Sequence, residues 1–150
     1  MAGVRRANML GALTVGIASV VGSPLTKDVD IPIVPQSGPE VIMGSSRMKS
    51  GTAQKLILNA ISTGVMIRLG RVYSNLMTDM PATNEKLRDR AVRMVELAAD
   101  VTRPMAAQAI RDAEGNVKLA TVMASRKVSA DEARRMLEEK HGRLREVIGP

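Results

Sequence analysis

The residues best suited to chemistry lie in one stretch, residues 38–55: Gly38-Pro39-Glu40-Val41-Ile42-Met43-Gly44-Ser45-Ser46-Arg47-Met48-Lys49-Ser50-Gly51-Thr52-Ala53-Gln54-Lys55. Gly38 and Gly44 let the backbone turn sharply, and Ser45, Ser46, Ser50 and Thr52 crowd hydroxyls where a long apolar segment begins. A helix starting there offers unpaired backbone N–H groups and the positive end of its dipole to an anionic oxygen. Arg47, Lys49 and Lys55 add three cations within nine residues. A phosphate or carboxylate is the natural guest of such a turn; the plainer alternative is an ordinary hydroxyl cap on a buried helix. Glu40, the carboxylate of the stretch, is read as taking hydroxyl or backbone hydrogen bonds, either in a ligand pocket or to fix the loop.

Those groups need a frame. Upstream, residues 12–19 suit a buried strand, Ser23-Pro24 suits the cap and first position of a short helical turn, and residues 30–34 suit a second strand. Pro32 places that second strand at an edge or an end. The gap between the two fits a parallel crossover. Arg5 and Arg6 followed by apolar residues 9–21 imitate a signal peptide, a reading set aside in favour of the strand.

Downstream, residues 52–69 read as one helix, apolar on most faces, with Lys55, Asn59 and Ser62 as a narrow polar stripe. Such a helix belongs in a core or a subunit interface, and Asn59 and Arg68 argue against a membrane span. Residues 71–80 form a connector and Pro81 precedes a helix over 84–101, whose Leu87, Ala91, Met94, Val95 and Ala98 share one apolar face. Pro104 opens a further helix carrying Met105, Ala109 and Ile110 inward. Residues 117–125 make the next, Ser129 and Glu132 form a capping box for a helix over 130–140, and Gly142 stops it. Leu144, Val147 and Ile148 supply the last apolar contacts. The fold class is α/β: two strands followed by a mainly helical region.

Composition bounds the possibilities. A chain of 150 residues that is 45% hydrophobic and 25% charged can bury one ordinary core, built without Trp or Phe and with a single Tyr73. The absence of cysteine removes disulfides and thiolate chemistry, and a lone His141 removes a multi-histidine metal site. The net charge of +7 permits anionic partners without choosing among them. Residues 119–137 have the look of a helix-turn-helix, but its second helix would open with Asp131 and Glu132 facing phosphates. No nucleic-acid or membrane partner is therefore expected.

In its order of residues, the stretch from Gly38 to Lys55 resembles the signature of the N-acetylmuramic acid 6-phosphate etherases, lyases of the sugar isomerase (SIS) superfamily. Ser46 stands where Thr is usual and Ser50 where Ala is usual. The resemblance continues through Ser62-Thr63-Gly64, Met66-Ile67-Arg68-Leu69-Gly70, Arg71-Val72-Tyr73, Asn75-Leu76-Met77 and Thr83-Asn84, and resumes at Asn116-Val117-Lys118 and Glu132-Ala133. It implies that residues 1–70 are the last part of a SIS parallel sheet with its signature loop and long helix. Residues 71–150 are then a helical region closing in a three-helix module at about 116–148.

The implied reaction removes D-lactate from carbon 3 of N-acetylmuramic acid 6-phosphate, leaving N-acetylglucosamine 6-phosphate, with no metal or organic cofactor. A base takes the carbon-2 proton of the open-chain aldehyde while an acid protonates the departing ether oxygen. The resemblance places the family's two catalytic glutamates and its Ser-rich phosphate loop upstream of Met1, so no catalytic residue is assigned in this chain. Glu40, Ser45, Ser46, Arg47 and Lys49 are assigned to the sugar-phosphate pocket, and a cytoplasmic homodimer is implied. The chain is expected to be the C-terminal half of an etherase, inactive and poorly folded alone. The alternative is a non-catalytic sugar-phosphate sensor similar to the glucokinase regulatory protein, which shares a run like Gly44 to Lys49.

Overall fold

The computed structural model describes residues 1–80 and 84–149. Within them the chain is α/β and mostly helical, and it divides into two compact units, Met1–Ser62 and Thr63–Pro150.

The first unit opens with helix α1 (Ala2–Met9), followed by strand β1 (Val15–Ile17), a 3-10 turn (Pro24–Thr26) and strand β2 (Ile31–Ile33). Helix α2 (Lys49–Arg68) then begins. β1 and β2 pair in parallel, with Val15 opposite Ile31, Gly16 opposite Pro32 and Ile17 opposite Ile33. The crossover is thus parallel, as its length and Pro24 suggested. It runs through a single 3-10 turn at whose start the Ser23 side chain makes no capping bond.

Register is set by a reciprocal clamp at the strand starts. Thr14 donates its amide and its hydroxyl to Asp30 Oδ2 at 2.8 and 2.7 Å, and the Asp30 amide donates back to Thr14 Oγ1 at 3.0 Å. The Thr14 hydroxyl and then its amide hold the Asp30 carboxyl below its ordinary range. Gly16 is required by a close approach: a Cβ there would lie 2.9 Å from Val29 Cγ2 and 3.0 Å from the Leu25 carbonyl oxygen.

The expectation of a buried strand over residues 12–19 needs correction. Only three residues pair, Leu13 and Val15 are exposed, and Thr14, Gly16 and Ser50 are the buried residues of this unit. No large apolar side chain is buried between residues 1 and 62. α2 likewise does not lie in a core of this chain: Leu56, Leu58, Ile61, Val65, Met66 and Ile67 are all exposed, and Ser50 is its buried residue. No helix among the described residues is long and apolar enough to cross a membrane.

The second unit holds the buried apolar core, which runs from Met80 to Val147 in sequence. It begins with a hairpin of β3 (Val72–Tyr73) and β4 (Leu76–Met77), antiparallel, turning through Ser74 in the left-handed region. The expected connector over residues 71–80 thus contains a hairpin. Two-residue strands are too short to show a period, yet they matter, because Tyr73 and Leu76 pack on the core.

Five helices follow: α3 (Glu85–Ala99), α4 (Arg103–Asp112), α5 (Val117–Arg126), α6 (Ala130–Glu139) and α7 (Leu144–Ile148). The expected Pro81 boundary lies outside the described residues. Asn84 and Asn116 cap α3 and α5 by accepting from the amides three residues on, at 2.9 and 3.0 Å, and Ser129 caps α6 from the Glu132 amide at 3.3 Å. These bonds satisfy donors that a helix start leaves orphaned.

α3 turns Ala91, Met94 and Val95 inward, as its period indicated, with Leu87 and Ala98 half-buried. In α4 Ala109 is buried and Ile110 half-buried against the core as expected, whereas Met105 is exposed and the buried face is lined by Ala106, Ala109 and Ala113. Their spacing of three and four makes a smooth alanine face that lets α3 and α5 approach closely, so size was the wrong guide to burial there. α5, the innermost helix, packs against α3, α4, α6 and α7. Asp131 and Glu132 are exposed in the first turn of α6, and His141 is exposed just beyond that helix.

Leu144 is 1% exposed, whereas Leu97 on α3 is 60% exposed. Leu144→Ala is therefore expected to lose about 2–5 kcal/mol of stability, and Leu97→Ala to stay within about 0.5 kcal/mol, as read by chemical denaturation under circular dichroism.

Candidate functional site

The loop between β2 and α2 carries Glu40, Ser45, Ser46 and Arg47, and Lys49 opens α2 itself. Gly38 and Gly44 both adopt positive φ, at 72° and 78°, and the Ser45 amide closes the turn around Gly44 by donating to the Ile42 carbonyl at 3.0 Å. A β-carbon would strain these positions.

The decisive geometry is at the start of α2. Helix formation leaves the first four amides without partners inside the helix. Here Lys49 N–H donates to Glu40 Oε2 and Ser50 N–H to Glu40 Oε1, each at 2.9 Å. Gly51 N–H donates to the Ser46 carbonyl at 2.9 Å and Thr52 N–H to the Met48 carbonyl at 3.3 Å. All four amides are thus answered from within the chain. The anion at this helix end is the protein's own Glu40 carboxylate, so a ligand phosphate is not seated on these amides in this arrangement. The helix also begins three residues earlier than expected, which puts Ser50 and Thr52 in its first turns instead of at a cap.

The hydrogen bonds from the Lys49 and Ser50 amides, with the Lys49 charge nearby, hold the Glu40 carboxyl below its ordinary range despite a small opposing effect of burial. The Lys49 ammonium donates to the Pro39 carbonyl at 2.8 Å, so both ends of the Lys49 side of the clamp close on residues 39 and 40. Ser50, buried, places its hydroxyl 2.5 Å from that of Ser19, just past the end of β1. Ser19 was not singled out from sequence. The available signal was a hydroxyl beyond the carboxyl end of a parallel strand, where open α/β sheets collect ligands and loops.

The five predicted residues therefore divide. Glu40 and Lys49 are engaged in fixing the loop. Ser45, Ser46 and Arg47 make no side-chain hydrogen bond or ion pair among the described residues, and Ser46 and Arg47 are exposed. The loop is pinned at its ends and presents two hydroxyls and a guanidinium between them, a set suited to an oxyanion.

Fold and site together define a small parallel α/β element whose glycine-bearing loop is locked onto a helix start by an internal carboxylate. The sequence matches N-acetylmuramic acid 6-phosphate etherases along nearly its whole length. It is 48% identical over 146 residues to that of Lactobacillus acidophilus, covering 97% of this chain and 49% of the relative. It is 49% identical over 145 residues to that of Caldanaerobacter subterraneus subsp. tengcongensis, covering 97% and 47%, and 46% identical over 145 residues to that of Deinococcus radiodurans, covering 97% and 48%. No protein-family model matches the chain. The chain is a homologue of these etherases, corresponds to their C-terminal half, and spans about half the length of the curated relatives it matches.

A depressed carboxylate stabilises the fold above its unfolded pKa, and that contribution is lost as pH falls through the folded value. The Glu40 clamp is accordingly expected to be intact at neutral pH and to open below the ordinary glutamate range, about pH 4. Amide exchange at Lys49 and Ser50, corrected for its intrinsic pH dependence, is expected to lose protection there. Glu40→Gln is expected to lose it at all pH values, since one of its two terminal atoms becomes a donor facing a donor.

Proposed function

We propose that this chain supplies the sugar-phosphate-binding loop of a carbon–oxygen lyase that cleaves the D-lactyl ether of N-acetylmuramic acid 6-phosphate, giving N-acetylglucosamine 6-phosphate and D-lactate. The observation that carries the reading is the 46–49% identity to etherases over 97% of the chain. The clamped loop supports it by leaving Ser46 and Arg47 exposed, with Ser45 half-buried beside them. In this reading those three contact the sugar phosphate, while Glu40 and Lys49 hold the loop that carries them.

Glu40 is poorly suited to be the base. A general base works best with a pKa near the operating pH, and the two amides push Glu40 the other way. Both its oxygens are also committed. The acid and base of the reaction are therefore assigned to the part of the etherase length outside the matched half. The two strands are read as the end of a SIS-type parallel sheet, residues 1–70 as the close of that domain and residues 71–150 as its helical extension, in a cytoplasmic homodimer.

The test is a hybrid in which this chain replaces the matching half of the Lactobacillus acidophilus relative, assayed for D-lactate release. Release is expected, and Arg47→Ala is expected to raise KM about 10–100-fold, the worth of one charge-assisted hydrogen bond. A folded hybrid that binds fructose 6-phosphate but releases no lactate would replace this reading with that of a sensor.

A further inference from the structure

We infer that Ser19 and Ser50 are positioning residues whose paired hydroxyls tie the signature loop to the carboxyl end of β1. They thereby fix where Ser46 and Arg47 meet the sugar phosphate, which rests on the reading above. The Glu40 clamp does not do this by itself. Its partners are the Lys49 and Ser50 amides, and the Lys49 ammonium returns to the Pro39 carbonyl. All of those groups lie between residues 39 and 50, so the clamp closes the loop on the helix start and leaves the two able to shift as one piece against the strands.

The tie to the strands is made by the hydroxyls. Ser19 Oγ lies 2.5 Å from Ser50 Oγ. Among the described residues, no other hydrogen bond or ion pair joins residues 34–62 to residues 1–33, apart from the strand ladder that ends at Ile33. Both partners are held in place. The Ala18 amide donates to the Ile33 carbonyl at 3.1 Å, so Ser19 leaves the sheet directly after its last ladder bond. The Ser50 amide donates to Glu40 Oε1 at 2.9 Å. Ser50 thus holds the loop carboxylate with its backbone and the strand end with its side chain.

The burial of Ser50 points the same way. It is 9% exposed and is the buried residue of α2, and a hydroxyl taken out of water without a partner is unfavourable. Serine hydroxyls near a helix start commonly serve the local backbone; this one reaches to another element. The contact falls outside the carboxyl end of a parallel strand, where open α/β sheets take their ligands. The next residue, Gly51, donates its amide to the Ser46 carbonyl at 2.9 Å. A displacement of Ser50 is therefore passed directly to Ser46 and its neighbour Arg47.

The experiment is a double-mutant cycle of Ser19→Ala and Ser50→Ala. It is read by amide exchange at Gly51 in the 150-residue chain and by KM and kcat for D-lactate release in the hybrid with the Lactobacillus acidophilus relative. Each single variant is expected to speed Gly51 exchange and to raise KM about 3–10-fold, the worth of one neutral hydrogen bond. kcat is expected to stay unchanged, because phosphate binding and not proton transfer is disturbed. The double variant separates positioning from stability. It leaves no orphaned hydroxyl, so its denaturation midpoint returns towards that of the parent, while KM and Gly51 exchange remain as altered as in either single variant. Ser19→Thr, which keeps the hydroxyl, is expected to keep the parent KM. The inference is overturned if Gly51 is unprotected in the parent, if exchange and KM ignore both single variants, or if they recover in the double variant along with stability. Exchange is scored on the chain itself: faster Gly51 exchange in the variants, beside a parent hybrid that releases no lactate, upholds the tie and removes the lyase reading.

Discussion

The first unit depends on a bidentate bond between one carboxylate and two amides. Without Glu40 the start of the loop from β2 to α2 is held to the helix by the Lys49 ammonium on the Pro39 carbonyl, because the Ser46 and Met48 carbonyls belong to the last residues before the helix. With it, the helix start is neutralised by a charge ten residues upstream, and the intervening chain must close into a turn. The loop's two glycines at positive φ make that closure available without strain. A helix terminus usually described as an invitation to anionic ligands acts here as an anchor.

This arrangement explains which parts of the site were legible in sequence. The hydroxyls, cations and glycines of residues 38–55 announced a helix start with an anion beside it, and that is what the structure holds. What the pattern did not reveal was the source of the anion. A Glu nine or ten residues before the amides it caps lies outside the local spacing of a capping box, and only the turn at Gly44 brings it back. Ser19 was hidden for the same reason, since its partner Ser50 is thirty-one residues away.

The fold was read best where local chemistry decides it. Ser129 with Glu132, the stop at Gly142, which adopts positive φ, and the period of α3 all acted within a turn or two of chain. Reading failed where burial was inferred from side-chain character alone. Residues 12–19 are as apolar as a core demands, but burial needs something to be buried against, and the first unit supplies little; of the two places expected for α2, the core of this chain is the one its exposed side chains exclude. In α4 the error ran the other way: Met105 was favoured for its size, and the alanines won because three of them line one face. The β3–β4 hairpin escaped because a strand of two residues has no period to detect.

The single aromatic side chain has a consequence for spectroscopy. With no Trp or Phe, Tyr73 is the chain's sole aromatic reporter, and it sits in the hairpin against the helical core of the second unit. Its emission and near-ultraviolet dichroism report on the packing of that unit's core. The clamped loop, the parallel strands and α1 are optically dark, so a melting curve followed at tyrosine describes half of this molecule. The other half is visible only to a backbone signal or to a chromophore introduced for the purpose.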